Sequence, residues 1–181
     1  MKYQLLFIVL LMFACKDEPK ASTVADTKEV LEADAIAETV TELPFEVFDY
    51  DGLQPLISKE DDKIHVVNFW ATWCAPCIKE LPYFQEIEAK YNDKGVELLL
   101  VSLDFPRQYE SKLVPFLQKK GIKSKVVALD DVDQNRWIPA IDSTWSGALP
   151  ATIIYNKNKR SFYERSFTYD ELETEIKSFL N

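Results

Sequence analysis

The chain has 181 residues with a formal net charge of −9, and 47% of its residues are hydrophobic and 13% aromatic. That length suits one domain with some extra sequence, and so large an apolar fraction excludes a chain disordered throughout. The acidity argues against a nucleic-acid partner, because phosphate contacts need clustered Lys and Arg; it reads as a solvated surface. The three cysteines, Cys15, Cys74 and Cys77, are too few and of the wrong parity for a disulfide scaffold.

Lys2 gives a positive start, and residues 3–14 are almost unbroken apolar sequence. A membrane-spanning helix needs roughly 20 apolar residues, so this run fits the apolar region of a secretory signal instead. Ala14 stands before Cys15, and the sequence turns polar at once with Lys16-Asp17-Glu18-Pro19. Leu11-Met12-Phe13-Ala14-Cys15 resembles a bacterial lipoprotein signal. The resemblance implies that residues 1–14 are removed, that Cys15 is lipidated and that it becomes the mature first residue. An ordinary signal peptide with an incidental cysteine is the other reading. Residues 15–43 are rich in Asp, Glu, Ala and Thr with no Gly and no aromatic, and their apolar positions make only a poor helical stripe. They read as an acidic flexible tether with an r.m.s. reach of about 30 Å.

The folded domain is expected over residues 44–181. Residues 45–50 alternate as a strand, and Gly52 marks a turn. Residues 65–70 read as a buried strand. A helix follows over 76–92, with Leu81, Phe84, Ile87 and Tyr91 on one face. Residues 96–103 form a continuous apolar strand of the kind found inside a parallel or mixed sheet. A helix over 111–120, a strand over 125–129 and an irregular, Trp-containing stretch over 134–145 come next. Residues 151–155 and 161–167 pair as a hairpin across Asn156-Lys157-Asn158-Lys159. Thr168, with Glu171 three residues on, caps a last helix running to residue 179. Strands alternating with helices give an α/β fold, a central mixed sheet flanked by helices.

Trp73-Cys74-Ala75-Pro76-Cys77 carries the chemistry. Two cysteines two residues apart, just after a strand and opening a helix, can close a small disulfide or supply half of a zinc site. Zinc would need two more ligands, and the chain offers one histidine, His65, so no metal or other cofactor is expected. The unpaired N–H groups at a helix start carry partial positive charge. A thiolate there is stabilised, with a pKa typically within about 3.5–7.5 in such motifs. Pro76 fits an early helical position. Cys74, at the outer edge, is expected to be the attacking nucleophile, and Cys77, one turn in, to resolve the mixed disulfide. A fixed structural disulfide is the alternative reading of the spacing. Glu80 lies three residues past Cys77 and shares its helix face. Partly buried there, it would have a raised pKa and could hold or pass a proton. Pro82 removes a helical hydrogen bond and has a structural role. Trp73 is expected to shield Cys74 and line a docking surface, whereas Trp70 and His65 read as packing residues, as do Trp137 and Trp145, for which a partner groove is the alternative reading.

The run from Val66 through Asn68, Trp70, Trp73-Cys74-Ala75-Pro76-Cys77 and Glu80 to Pro82 resembles the active-site segment of the thioredoxin superfamily. It is most similar to the extracytoplasmic, membrane-tethered TlpA/ResA-like branch. Gly147-Ala148-Leu149-Pro150-Ala151-Thr152 resembles that family's second signature. The resemblance implies a thioredoxin-like fold and thiol-disulfide exchange with other proteins' disulfides, usually in the reducing direction and often in cytochrome c maturation. It implies as partners protein disulfide substrates, a membrane electron-donor thiol protein and, through the lipid anchor, the membrane itself on an extracytoplasmic face. Pro150 alone would read as trans; the resemblance makes it a cis-proline opposite the cysteine pair, with Leu149 offering backbone groups to a bound peptide and Pro150 keeping competing groups from the sulfurs. Trp73, Pro76, Leu149 and Pro150 are thus the substrate-binding candidates. Asn68 stands where cytosolic thioredoxins carry a buried Asp, and an Asn cannot take a proton, which points to Glu80. A disulfide oxidase or isomerase, and a lipoprotein binding module with a fixed disulfide, are the competing functions.

Overall fold

The computed structural model describes residues 43–180. The apolar run over residues 3–14, Cys15 and nearly all of the acidic stretch therefore lie outside the described residues. Among the described residues no helix is long and apolar enough to cross a membrane.

In chain order the elements are β1 (Glu46–Phe48), α1 (Tyr50–Leu53), β2 (Ile64–Trp70), α2 (Ala75–Tyr91), β3 (Val96–Ser102), α3 (Val114–Lys120), β4 (Lys125–Leu129), α4 (Gln134–Ile141), β5 (Ala151–Tyr155), β6 (Arg160–Tyr163) and α5 (Tyr169–Leu180). The six strands form one sheet in the order β1-β4-β3-β2-β5-β6. β1, β4, β3 and β2 are parallel to one another, β5 is antiparallel to β2, and β6 is antiparallel to β5. All seven residues of β2 are buried, as expected of a strand covered on both faces.

Alternation along the central strands sorts the core into two layers. Val66, Trp70, Leu98 and Leu100 face a cluster with Leu81, Phe84 and Ile87 of α2, Leu117 of α3, and Leu172, Ile176 and Phe179 of α5. Val67, Phe69, Leu99 and Val101 face the other layer, with Leu53 of α1 and Trp137 and Ile141 of α4. Each large side chain fully buried here contributes about 1.5–3 kcal/mol. Phe84→Ala would cost about 3–5 kcal/mol, because the ring packs edge-on against Phe167 as well as on the sheet.

Three expectations need correction. Residues 134–145 are not irregular throughout. Asp133 accepts a hydrogen bond from the Arg136 N–H and starts α4, which buries Trp137 and Ile141 and carries Pro139 inside it. The first strand is three residues long, not six, because the Asp49 side chain accepts from Gly52 N–H at 2.8 Å and starts a helical turn that includes Tyr50 and Gly52. β6 ends at Tyr163, short of Phe167, whose N–H leaves the sheet to reach Glu80. The helix expected over 111–120 is entered through a wide π-helical turn, Tyr109–Leu113, before α3 proper. The Thr168 capping box is formed in both directions, Thr168 N–H to the Glu171 carboxylate at 2.8 Å and Glu171 N–H to the Thr168 hydroxyl at 3.4 Å. In the hairpin, Asn156 Oδ1 accepts from the N–H groups of Asn158 and Lys159, both at 2.9 Å, which closes the turn without a glycine.

Candidate active site

The site forms where β2 ends. Leu103 N–H donates to the Trp70 carbonyl, so the chain segments leaving β2 and β3 start side by side. Asp104 is 1% exposed and fixes them: its carboxylate accepts from Thr72 N–H at 3.0 Å, from the Thr72 hydroxyl at 2.5 Å and from the Ser102 hydroxyl at 2.9 Å. A buried carboxylate needs such donors to offset its desolvation. Cys74 then takes the N-cap of α2, in extended conformation, and its Sγ accepts from Cys77 N–H at 3.3 Å. The sulfur therefore sits in the position an N-capping oxygen usually fills, at the positive end of a 17-residue helix. Pro76 lies in the first turn, where a missing N–H costs nothing. The helix continues through Pro82, which leaves the Ile78 carbonyl without its usual donor.

Cys74 and Cys77 are joined as a disulfide with Cα atoms 5.3 Å apart. Both are buried, Cys74 6% exposed and Cys77 fully enclosed. Trp73 is 55% exposed and stands beside them on the surface with Ala75 and Pro76. Glu80 is only 1% exposed. Its Oε2 accepts from Phe167 N–H at 2.7 Å, and its Oε1 accepts from the Asn68 amide at 3.2 Å. Burial pushes its pKa up to about 7, while Phe167 N–H, the Asn68 amide and the Arg165 charge oppose the rise.

The Leu149–Pro150 peptide bond is cis. β5 pairs with β2 so that Ala151 stands opposite Phe69, which carries Leu149 and the buried Pro150 to the end of β2 from which the cysteine loop departs. Leu149 packs against the cluster that holds both cysteines. The approach to this turn is fastened by Glu164, whose carboxylate accepts from Ser146 N–H, the Ser146 hydroxyl and Ala148 N–H. The Ser146 hydroxyl is the main cause of the lowered pKa of Glu164. Gly147 has φ of 92°, and a Cβ there would lie 3.1 Å from Ile138 Cδ1, so both backbone and space call for glycine. Trp145 closes the turn from below: its indole N–H donates to the Ala148 carbonyl at 2.9 Å, and its ring packs on Phe69, Trp137 and Phe162.

The fold therefore brings Trp73, Cys74, Pro76, Cys77 and Glu80 together on one loop and helix, and Leu149 and Pro150 to the same end of the sheet. Cys15 lies outside the described residues. His65 is at the other end of β2, hydrogen-bonded to Asp61 at 2.7 Å and stacked on Tyr155. Sequence reasoning missed Asp104, Thr72 and Glu164, and it read Trp145 as packing without seeing its hydrogen bond to the Ala148 carbonyl. Asp104 had a signal, a carboxylate directly after an apolar strand; Glu164 had none. A broad concavity lined by residues such as Phe45, Leu117 and Ile122 is bordered by none of the cysteine-site residues.

A family model described as the AhpC/TSA family matches residues 41–160. Curated proteins named thiol-disulfide oxidoreductase ResA are similar to the chain. The one from Geobacillus thermodenitrificans is 32% identical over 127 residues, covering 70% of this chain and 68% of that protein. The one from Geobacillus kaustophilus is 30% identical over 149 residues, covering 81% and 80%. The match to the Oceanobacillus iheyensis protein, 36% identical over 104 residues, covers 55% of this chain and spans about half of that relative, 49%. Among solved structures, a DsbF homologue from Corynebacterium diphtheriae superposes with a TM-score of 0.53 at 25% identity, covering 65% of this chain and 73% of the other. A putative thiol:disulfide interchange protein DsbE from Chlorobium tepidum, 23% identical over 66% of this chain and 82% of that one, shares the fold with a TM-score of 0.53.

Proposed function

From the premise that the chain belongs to the AhpC/TSA family, with ResA-type thiol-disulfide oxidoreductases among its relatives, we propose that it is a thiol-disulfide oxidoreductase that reduces disulfides of extracytoplasmic proteins through Cys74 and Cys77. The observation that carries this reading is the placement of Cys74 Sγ on the Cys77 N–H at the start of α2, nearly two turns before a buried carboxyl whose pKa is raised to about 7.

In the reduced form the helix N-terminus favours the Cys74 thiolate over the thiol. This thiolate attacks one sulfur of a substrate disulfide. A mixed disulfide forms, and the first substrate sulfur leaves as a thiolate that takes up a proton. The Cys77 thiol then gives its proton to Glu80 and attacks Cys74 Sγ. The Cys74–Cys77 disulfide closes, and the second substrate sulfur leaves and is protonated. Two electrons pass from the cysteine pair to the substrate, and two substrate thiols result. A carboxyl with a pKa near 7 can both accept and return that proton at neutral pH.

Trp73, Pro76, Leu149 and Pro150 form the docking surface of this reading. Trp73 supplies an exposed apolar face, Leu149 offers backbone groups to an extended substrate segment, and Pro150, lacking an N–H, keeps a competing donor from the sulfurs. Cys15 is the lipidated N-terminus, residues 15–43 are the tether, and a membrane thiol protein returns the oxidised pair to the dithiol. Delivery of electrons to a cytochrome c maturation step fits the same chemistry. An insulin-reduction assay with a chemical reductant tests the enzymatic reading. Turnover by the native chain and none by Cys74→Ser supports it; equal rates for the two would refute it.

A further inference from the structure

The hydrogen bonds around Glu80 suit one of its two protonation states only. We propose that Asn68 is a positioning residue whose side-chain amide reverses when Glu80 gains or loses its proton, so that the same buried neighbours serve both states. The proposal rests on the reading that Glu80 takes up and releases a proton.

Asn68 Nδ2 donates to Glu80 Oε1 at 3.2 Å and to Thr152 Oγ1 at 3.1 Å. Asn68 Oδ1 is buried and has no partner among the described residues. Both amide hydrogens are thus spent and the oxygen is idle, although buried polar atoms are rarely left unpaired. With Phe167 N–H on Oε2, Glu80 faces donors at both oxygens. This arrangement fits a carboxylate, which only accepts.

A protonated Glu80 has one O–H to place. Oε2 faces a backbone N–H that cannot turn away, so a proton there would point at another hydrogen. The proton belongs on Oε1, where it meets the second donor, Asn68 Nδ2. A half-turn of the Asn68 amide removes the conflict. Amide oxygen and nitrogen are nearly equal in size, so the turn costs little in packing, and it exchanges an unpaired Oδ1 for an unpaired Nδ2 at the same buried position. Oδ1 then accepts from Glu80 Oε1–H and from the Thr152 hydroxyl, which changes from acceptor to donor. Asn68 and Thr152 are both fully buried, so water cannot take over these roles.

The chemistry is specific to asparagine. An Asp would compete for the proton, and a Leu would serve neither state. Among the described residues the charged and titratable groups near Glu80 are Arg165 from the segment after β6 and, one turn earlier on α2, Cys77. Asn68 on β2 and Thr152 on β5 are neutral, so the amide can respond to Glu80 without a titration of its own.

The test is a pH titration of the intact, oxidised chain by NMR, in which Cys74 and Cys77 carry no thiol proton. It follows the Glu80 carboxyl carbon and the Asn68 side-chain amide together. The expected result is one shared midpoint, with contacts from the Asn68 amide hydrogens to Thr152 strong above it and lost below it. In Glu80→Gln, the Gln oxygen should keep the Phe167 N–H and its amide should face Asn68, holding Asn68 in the turned state at every pH. If Glu80 titrates while the Asn68 contacts stay constant, the amide reversal is wrong and the proton role stands. If Glu80 does not titrate between about pH 4 and 9, both fail. The wild-type titration decides this even if the variant does not fold.

Discussion

Replacing Glu80 with Gln should remove a pH dependence of stability that the fold builds in. Burial raises the Glu80 pKa from the ordinary 4.5 to about 7. That difference corresponds to about 3 kcal/mol between its two protonation states. The folded chain binds the proton more tightly than the unfolded chain, so unfolding free energy falls as pH rises between those two values. The favourable contribution is complete below about pH 4.5 and lost above about pH 7. Glu80→Gln keeps the size of the side chain and an oxygen for Phe167 N–H, yet cannot ionise. Urea unfolding of both oxidised proteins from pH 4 to about 8 measures the effect, and the disulfide keeps thiol titration out of the comparison. The difference between the two proteins cancels the groups that titrate alike in both. The variant should gain on the wild type by up to about 3 kcal/mol as pH rises through this window. A difference that stays constant with pH would refute the argument that Glu80 is an acid held partly neutral by burial.

Cys77→Ser should accumulate mixed disulfides with substrate proteins through Cys74, because the attacking sulfur remains and the resolving one is gone; Cys74→Ser should accumulate few, as non-reducing gels would show. Cys15→Ala should release the chain from membranes without loss of disulfide reduction, and mass spectrometry should find a lipid on Cys15 of the mature native chain. Glu164→Ala removes the acceptor for three hydrogens of the loop leading to Leu149–Pro150. It should cost about 1–3 kcal/mol of stability and lower kcat/KM for protein disulfides while leaving the potential of the cysteine couple unchanged.

Local patterns were readable wherever the information is local. β4 and the Thr168–Glu171 box depend on neighbours in sequence, and α2 carries its apolar stripe on its own residues. The region of α4 was misread because its helical signal is short: eight residues, a Pro inside, and two buried apolar residues that make sense only once the sheet is there to cover. The site shows the same division. Cys74, Cys77 and Glu80 share one helix start, so spacing placed them together. The groups bonded to Glu80 come from two other segments, Asn68 on β2 and Phe167 before α5, with Thr152 of β5 behind Asn68, and no pattern along the chain encodes that meeting. The cis Leu149–Pro150 bond was reachable only through resemblance, since composition favours trans. Glu164 was invisible because its partners Ser146 and Ala148 come near only when β6 pairs with β5.

The reduction potential of the Cys74–Cys77 couple, measured by equilibrating the chain with defined thiol–disulfide buffers, tests the central claim most directly. A reductant of extracytoplasmic protein disulfides should lie between about −200 and −300 mV, below the potential of disulfide isomerases and within reach of a dithiol donor. A value near about −120 mV would make the chain an oxidant, and a disulfide that resists reduction below about −300 mV would make the pair structural; either result would contradict the account.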